Sequence, residues 1–111
     1  MTSRRVLTLT TLQILLSLAE GPRHGYGIML DVRERTDGHV KLGSGTLYEA
    51  LQRLEQGKLI TETRAPAGTK HAEGSRFYAL TPTGRRALLR ELEHVQLLVG
   101  DSVAQRLLTE T

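Results

Sequence analysis

The stretch Gly43-Ser44-Gly45-Thr46, followed by Tyr48, has the residue types needed to bind a phosphate group. Its small residues precede an apolar pattern of helical spacing, so they would leave backbone N–H groups free at a helix N-terminus. Such an end attracts anions through those N–H groups and the helix dipole. Ser44 adds a hydroxyl group, and Tyr48 lies one residue off the apolar pattern and should point outward. The competing interpretation is a capped helix with a half-buried tyrosine, in which Thr46 and Glu49 form a capping box or Ser44 is the cap.

Basic side chains lie further along the chain, at Lys70 and His71, with Arg64 and Arg76 on either side. If this segment is the tip of a β-hairpin, its cations can follow the phosphate backbone of a nucleic acid. Surface loops are also often basic without a function, so this segment alone is moderate support for nucleic-acid binding.

The charge is concentrated in one half of the chain. Residues 41–90 hold nine Lys/Arg and four Asp/Glu, a net charge of +5, whereas the whole chain carries +3. A basic segment is expected of a surface that binds a polyanion. Within it, Gln52 and Arg53 could read the edges of bases. The alternative for these two residues is an ordinary solvated helix face.

The patterns typical of enzymes and metal sites are incomplete in this chain. Tyr48 occupies the position where a dinucleotide-binding fingerprint that begins at Gly43 needs its third glycine. Glu91 and His94 form one E-x-x-H motif, whereas di-iron bundles need two such motifs and two further carboxylates. The chain has no cysteine, and its four histidines show no metal-ligand spacing. We therefore expect no catalytic residue, no metal site and no cofactor.

Periodicity and turn signals predict the elements that must position these residues. Three short helices are expected over about residues 8–20, 24–35 and 43–56. Strands are expected at 59–64 and 75–80, and Thr81 and Pro82 are the N-cap and first position of a last helix. This order predicts a mainly α fold with a small β-hairpin, an α+β class. It is the layout of a winged helix-turn-helix, whose third helix enters the major groove and whose hairpin loop is the wing.

The last predicted helix carries an apolar stripe that is longer than packing against one small core would bury. Its members recur at spacings of three and four: Leu88, Leu92, Val95, Val99, Val103 and Leu107. Soluble monomers rarely expose so long an apolar patch, so we expect a second copy of the chain to cover it. The chain then divides into a winged-helix DNA-binding domain over residues 1–81 and a C-terminal dimerisation helix over 82–111. The alternative is that this helix folds back onto its own domain.

The N-terminus has a faint likeness to an export signal, because Arg4 and Arg5 precede an apolar stretch that ends in small residues. Polar residues interrupt that stretch, and its apolar residues recur at i, i+3, i+4 and i+7, which favours a packed amphipathic helix. No segment approaches the ~20 apolar residues of a membrane span. We therefore expect a cytoplasmic protein with no membrane partner.

Several motifs together resemble the PadR family of transcriptional regulators: His24-Gly25-Tyr26-Gly27, Gly45-Thr46-Leu47-Tyr48 and Arg76-Phe77-Tyr78-Ala79-Leu80-Thr81. The resemblance runs from about Leu12 to Leu89 and implies a winged-helix dimer that represses promoters. It also implies that Ser44, Thr46 and Tyr48 lie at the DNA-facing end of the recognition helix. Arg76 and the wing would contact the DNA backbone.

The chain departs from the family pattern in three places. Glu49 stands where the family commonly has proline. The family's glycine before the first strand usually falls at position 58, which is Lys58 in this chain. One helix is expected after Thr81, which argues against a large effector domain.

These observations predict a homodimeric transcriptional regulator, a repressor, that binds promoter DNA through Ser44, Thr46, Tyr48, Gln52, Arg53, Lys70 and Arg76. The rival interpretation is a winged-helix dimer that serves as a protein-interaction module without DNA binding. Aromatic residues are only 4% of the chain, so we expect no ligand stacked between aromatic rings. A small-molecule effector of another kind could occupy the seam of the dimer.

Overall fold

The structure, a computed structural model, describes residues 7–70 and 74–110. In this part of the chain there are five helices and three strands, in the order α1 (Leu9–Ala19), β1 (Arg23–His24), α2 (Gly25–Arg35), α3 (Ser44–Gln56), β2 (Ile60–Thr63), β3 (Phe77–Leu80), α4 (Pro82–Val99) and α5 (Ser102–Thr109). The strands form one antiparallel sheet in the order β1-β3-β2. The predicted α+β class, three helices followed by a hairpin, is confirmed.

The core lies between the first four helices and the sheet. Each of these helices and the hairpin contributes buried side chains to it: Leu12, Ile14, Leu15, Leu18, Ile28, Val32, Leu47, Ala50, Leu51, Leu54, Ile60, Tyr78 and Leu88. The helix α1 packs against α2, β3 and α4, and it is the packed amphipathic helix that the sequence favoured over an export signal. Arg4 and Arg5, on which that signal depended, lie outside the described residues.

The strand β1 has only two residues and was not predicted. Arg23 pairs with Tyr78, and His24 pairs with Phe77 on β3. His24 also caps α2, because its Nδ1 accepts the N–H of Gly27 at 2.8 Å, and its ring packs edge-on against Phe77 at 5.1 Å between centroids. The short strand thus fixes the start of α2 against the hairpin.

The helix α4 begins as predicted, with Thr81 as its N-cap. The Thr81 hydroxyl accepts the N–H of Gly84 at 2.9 Å, and it lies 2.7 Å from the carbonyl oxygen of Lys58 and 3.0 Å from that of Leu59. A Cβ atom at Gly84 would lie 2.0 Å from the Leu59 oxygen, so only glycine permits this close approach. The start of α4 is therefore fixed against the turn between α3 and β2.

That turn contains a lysine in the left-handed conformation. Lys58 has a φ of 61°, and its N–H donates to the carbonyl of Glu55 at 3.0 Å. The N–H of Leu59 donates to the carbonyl of Leu54, also at 3.0 Å. These two bonds define a Schellman motif, whose left-handed position is usually glycine. The motif gives a physical reason for glycine at position 58 in the family.

The prediction of a single C-terminal helix is wrong. The helix α4 ends at Val99, and Asp101 begins α5 by accepting the N–H groups of Val103 and Ala104 at 3.0 and 3.2 Å. Gly100 and a strong N-cap residue in succession favour a break over a continuous helix.

The first half of the predicted dimerisation stripe belongs to the core of its own chain. Leu88 is only 4% exposed, because α4 packs against α1, so the expectation that a partner must cover Leu88 is wrong. Leu92 and Val95 are partly buried against the same core. The folding-back alternative therefore holds for the first part of α4.

Candidate nucleic-acid interface

The helix α3 has one buried and one exposed face. Its buried face consists of Leu47, Ala50, Leu51 and Leu54. The predicted interface residues on α3 are all exposed: Ser44, Thr46, Tyr48, Gln52 and Arg53. With 3.6 residues per turn, the positions opposite the buried leucines are those of Gly45, Glu49, Gln52 and Gln56. These four residues form the middle of the exposed face.

The N-terminus of α3 has no side-chain cap, in contrast to the other helices of the described chain. Gly43 is the N-cap residue, and neither Ser44 nor Thr46 caps the helix, so the predicted capping box and its rival are both wrong. By contrast, Thr8, His24, Thr81 and Asp101 cap α1, α2, α4 and α5 with their side chains. The first N–H groups of α3 are thus open to an external acceptor such as a phosphate.

Tyr48 lies beside this open end and is 50% exposed. Its hydroxyl rests on Gly25, the first residue of α2: a Cβ atom at Gly25 would lie 2.6 Å from the Tyr48 oxygen. The tyrosine is therefore half-exposed, between the outward position that the spacing predicts and the half-buried alternative, and its contact with Gly25 sets the approach of α2 to α3. A side chain at the first glycine of the His24-Gly25-Tyr26-Gly27 motif would displace the Tyr48 ring from this position.

Glu49 and Arg53 form an ion pair on the exposed face of α3. The Arg53 Nη1 donates to the Glu49 Oε1 at 3.1 Å, one helical turn apart, and the side chains are 60% and 73% exposed. The sequence interpretation placed Glu49 in a capping box at the start of α3 and did not predict this pair. Its signal was the i,i+4 spacing of glutamate and arginine, which places both side chains on one face.

A second arginine–glutamate pair lies at the base of the wing. Arg76 donates from Nε and Nη2 to the Glu62 Oε1 at 3.2 and 2.7 Å, and its guanidinium lies 5.8 Å from the centre of the Tyr78 ring. The hydrogen bond from Arg76 lowers the pKa of Glu62, and the same bond raises the pKa of Arg76. Arg76 is thus exposed but already paired, which the sequence did not predict.

The wing itself is the loop between β2 and β3. A turn closed by the N–H of Thr69 on the carbonyl of Pro66 leads to Lys70, which is exposed. Gly68 in this turn has a φ of 80°, a conformation that favours glycine. His71, which the sequence placed beside Lys70 at the tip, lies outside the described residues.

Tyr78 connects the wing to α3. Phe77 and Tyr78 are both buried: Phe77 contacts His24, and Tyr78 belongs to the core cluster. Burial raises the pKa of Tyr78, and the neighbouring Glu55 and Tyr48 of α3 add to that rise. The base of the wing therefore adjoins the recognition helix.

The C-terminal end of the chain presents an apolar surface. Val99 and Val103 of the predicted dimer stripe are each 49% exposed. Leu107, the last member of the stripe, is more exposed still, as are the neighbouring Leu97, Leu98 and Leu108. This set of six residues on α4 and α5 is called the C-terminal apolar surface below.

An open groove of about 780 Å³ lies between α1, α3 and α4. Its apolar wall includes Ala50, Leu54 and Leu59, and Arg53 and Arg90 contribute polar groups.

The residues that the structure describes contain no group of three side chains able to hold a metal ion. None of their helices is both long and apolar enough to cross a membrane.

Comparison with known proteins places this architecture in a family. The model of the transcriptional regulator PadR-like family matches residues 14–100. A curated relative is an uncharacterised 37.1 kDa protein in transposon Tn4556 of Streptomyces fradiae, 41% identical over 87 residues. That match covers 78% of this chain but only 23% of the relative, so the chain spans about a quarter of that protein's length.

Solved structures of similar fold include a PadR family transcription regulator from Clostridium difficile R20291, with a TM-score of 0.73 and 26% identity, covering 91% of this chain and 99% of that one. Another is Bacillus subtilis PadR in complex with operator DNA, with a TM-score of 0.63 and 26% identity, covering 77% of this chain and 47% of that one. These neighbours are transcriptional regulators rather than enzymes. By its motifs, its fold and the match over residues 14–100, the chain belongs to the PadR-like family of transcriptional regulators.

Proposed function

We propose that the chain is a sequence-specific DNA-binding regulator, a repressor, that acts as a homodimer. The observation that carries the proposal is the uncapped N-terminus of α3 at one end of an exposed polar face. In this proposal α3 enters the major groove and the wing follows the backbone. Residues 1–81 are the DNA-binding domain, and residues 82–111 carry the dimer contacts.

The first turn of α3 supplies the anchoring contacts. Its free N–H groups bind a phosphate that flanks the groove, and the hydroxyls of Ser44 and Thr46 add donors at the same point. Tyr48 lies on this end of the helix and contacts the sugar-phosphate backbone. Gln52 and Arg53 lie further along the exposed face and reach the base edges.

The wing supplies backbone contacts of lower specificity. Lys70 is exposed and binds phosphate directly. Arg76 is bonded to Glu62 in the free protein, so it must give up that bond to bind a phosphate. Both side chains of the pair are exposed to solvent. Exposed ion pairs contribute little to stability, so this exchange is energetically accessible.

The homodimer forms through the C-terminal apolar surface. Its six large apolar side chains lie on adjacent helices, and a second copy covers them in a two-fold contact. Val99→Asp with Val103→Asp should give a monomer, because each buried carboxylate would lack a partner. Sedimentation of the wild type as a monomer at micromolar concentration would contradict the dimer.

A small-molecule effector at the dimer seam is part of the same proposal. The scarcity of aromatic residues favours a ligand that is not stacked between rings. Since the chain acts on promoter DNA, we place it in the cytoplasm.

The experiment that tests the proposal is DNA binding to the gene's own upstream region at two salt concentrations. Specific binding that weakens steeply with salt supports it, because phosphate contacts release counterions. A reporter fused to the same promoter tests repression. The rival is a dimeric protein-interaction module, and a folded dimer that binds no DNA at low salt would establish it.

A further inference from the structure

We propose that Glu49 is a base-reading residue that selects cytosine at one position of each operator half-site. The inference rests on the proposed function, since it names what the exposed face of α3 recognises. It assigns Glu49 a role that the sequence interpretation gave to a helix cap.

The position of Glu49 on α3 is the first step of the argument. Glu49 lies in the middle of the exposed face, opposite the leucines that anchor the helix in the core. When such a helix lies in the major groove, the middle of its outer face meets the base edges and its flanks meet the phosphates. Glu49 is 73% exposed and precedes Gln52 on the same face. It therefore meets bases rather than backbone.

The chemistry of the carboxylate is the second step. An ionised carboxylate only accepts hydrogen bonds, and beside phosphates it is repelled unless a base supplies a donor. Cytosine presents its N4 amino group as a donor in the major groove. Adenine also presents an amino group, but its N7 acceptor lies alongside and opposes a carboxylate. Cytosine is therefore the base that Glu49 selects.

The bond to Arg53 is the third step. Among the described residues Glu49 makes no capping bond, and Arg53 donates to its carboxylate along the outer face. A guanidinium has five N–H donors, so Arg53 keeps donors for a guanine or a phosphate while it restrains Glu49. The pair presents an acceptor and donors side by side before DNA is bound.

The test is selection of bound sequences from a randomised DNA pool by the full chain, with Glu49→Gln as the variant. Glutamine pairs with adenine at N6 and N7, so the preferred base at one position of each half-site should change from cytosine to adenine. The preference of the wild type for cytosine over adenine and the preference of the variant for adenine over cytosine should each be about 5- to 150-fold, which corresponds to one specific base contact of 1–3 kcal/mol. The other positions should keep their preferences.

Glu62→Gln is the matched control. Glu62 is also an exposed glutamate paired with an arginine, but it lies on β2 at the base of the wing. Its replacement removes the same charge, so it should raise overall affinity and alter salt dependence without changing any base preference. Thermal unfolding of both variants verifies that each is folded.

The outcomes separate this inference from the proposed function. If the wild type selects a motif and Glu49→Gln selects the same motif, the base-reading role is refuted while DNA recognition stands. If Glu49→Gln behaves like Glu62→Gln, with a uniform rise in affinity, Glu49 acts only as a charge and the inference is also refuted. If the wild type selects no motif, the proposed function fails and the inference fails with it.

Discussion

Replacing Lys58 by glycine should stabilise the protein, because this residue lies in a left-handed turn. Lys58 is held at a φ of 61° by the two Schellman hydrogen bonds at the end of α3. A left-handed conformation costs a residue with a Cβ atom roughly 1–2 kcal/mol. Glycine avoids that cost but loses roughly 0.5–1 kcal/mol more in backbone entropy on folding. The net gain expected for Lys58→Gly is therefore about 0.5–1 kcal/mol.

The gain translates into a measurable change of the melting temperature. At about 2.1 cal/mol/K of unfolding entropy per residue, 1 kcal/mol shifts Tm by roughly 4 °C for a domain of this size. Circular dichroism melting of Lys58→Gly should thus show a rise of about 2–4 °C, and urea unfolding should give a higher midpoint with an unchanged slope.

The control is Lys58→Ala, which removes the same charge and side chain but keeps the Cβ atom. Alanine stays strained in the left-handed region, so this variant should show no gain. If Lys58→Gly and Lys58→Ala melt at the same temperature, the backbone strain assigned to this turn is absent. Both variants lose the same charge, so the difference between their melting temperatures reports the backbone conformation alone.

Three further predictions follow from the site and its support. Leu54→Ala should cost about 2–5 kcal/mol of stability, because Leu54 is buried in the core, whereas Tyr48→Ala should cost less and should mainly weaken specific DNA binding; equal losses of stability would refute the assignment of faces. Lys70→Ala should weaken binding to all sequences alike and lower the salt slope by about one, and an unchanged slope would remove Lys70 from the interface. Although burial raises the pKa of Asp31, the hydrogen bond from Arg35 and the positive charges of Arg23 and Arg35 hold it below its ordinary value of 3.8. The stability that Asp31 contributes is present above pH 3.8 and is lost as pH falls through its lower folded pKa, so Asp31→Asn should melt lower at neutral pH and depend less on acid.

The elements whose signals are local could be predicted from the sequence. The apolar spacing of α3 and the Thr81-Pro82 start of α4 depend on neighbours within a few residues, and the structure has both. The strand β1 could not be predicted, because its two residues obtain their partners from β3, far away in the sequence. A strand of two residues is too short to show an alternating pattern in the sequence.

Competition between partners explains the errors in the candidate site. Glu49 had two partners in reach, the backbone N–H groups at the start of α3 and the guanidinium one turn later, and the structure pairs it with Arg53. Leu88 could have packed into the core of its own chain or against a second copy. The contact between α1 and α4 places it in the core of its own chain. In both cases residue type and spacing were read correctly, but they do not decide between two partners. Gly100 and Asp101 did carry a local signal for a break, which the longer apolar stripe obscured.

The attachment of α4 at Thr81 has a mechanical consequence. Thr81 is the residue between β3 and α4, and α4 is 18 residues long, or about 27 Å. The helix is thus a lever arm, and a rotation of roughly ten degrees about Thr81 would displace its far end by about 5 Å, nearly one helical pitch. In a dimer joined at that far end, the distance between the two recognition helices is only as constant as this angle. The separation of half-sites that the dimer can span then depends on the packing of α4 against α1 and on the contacts of Thr81 and Gly84 at the start of α4.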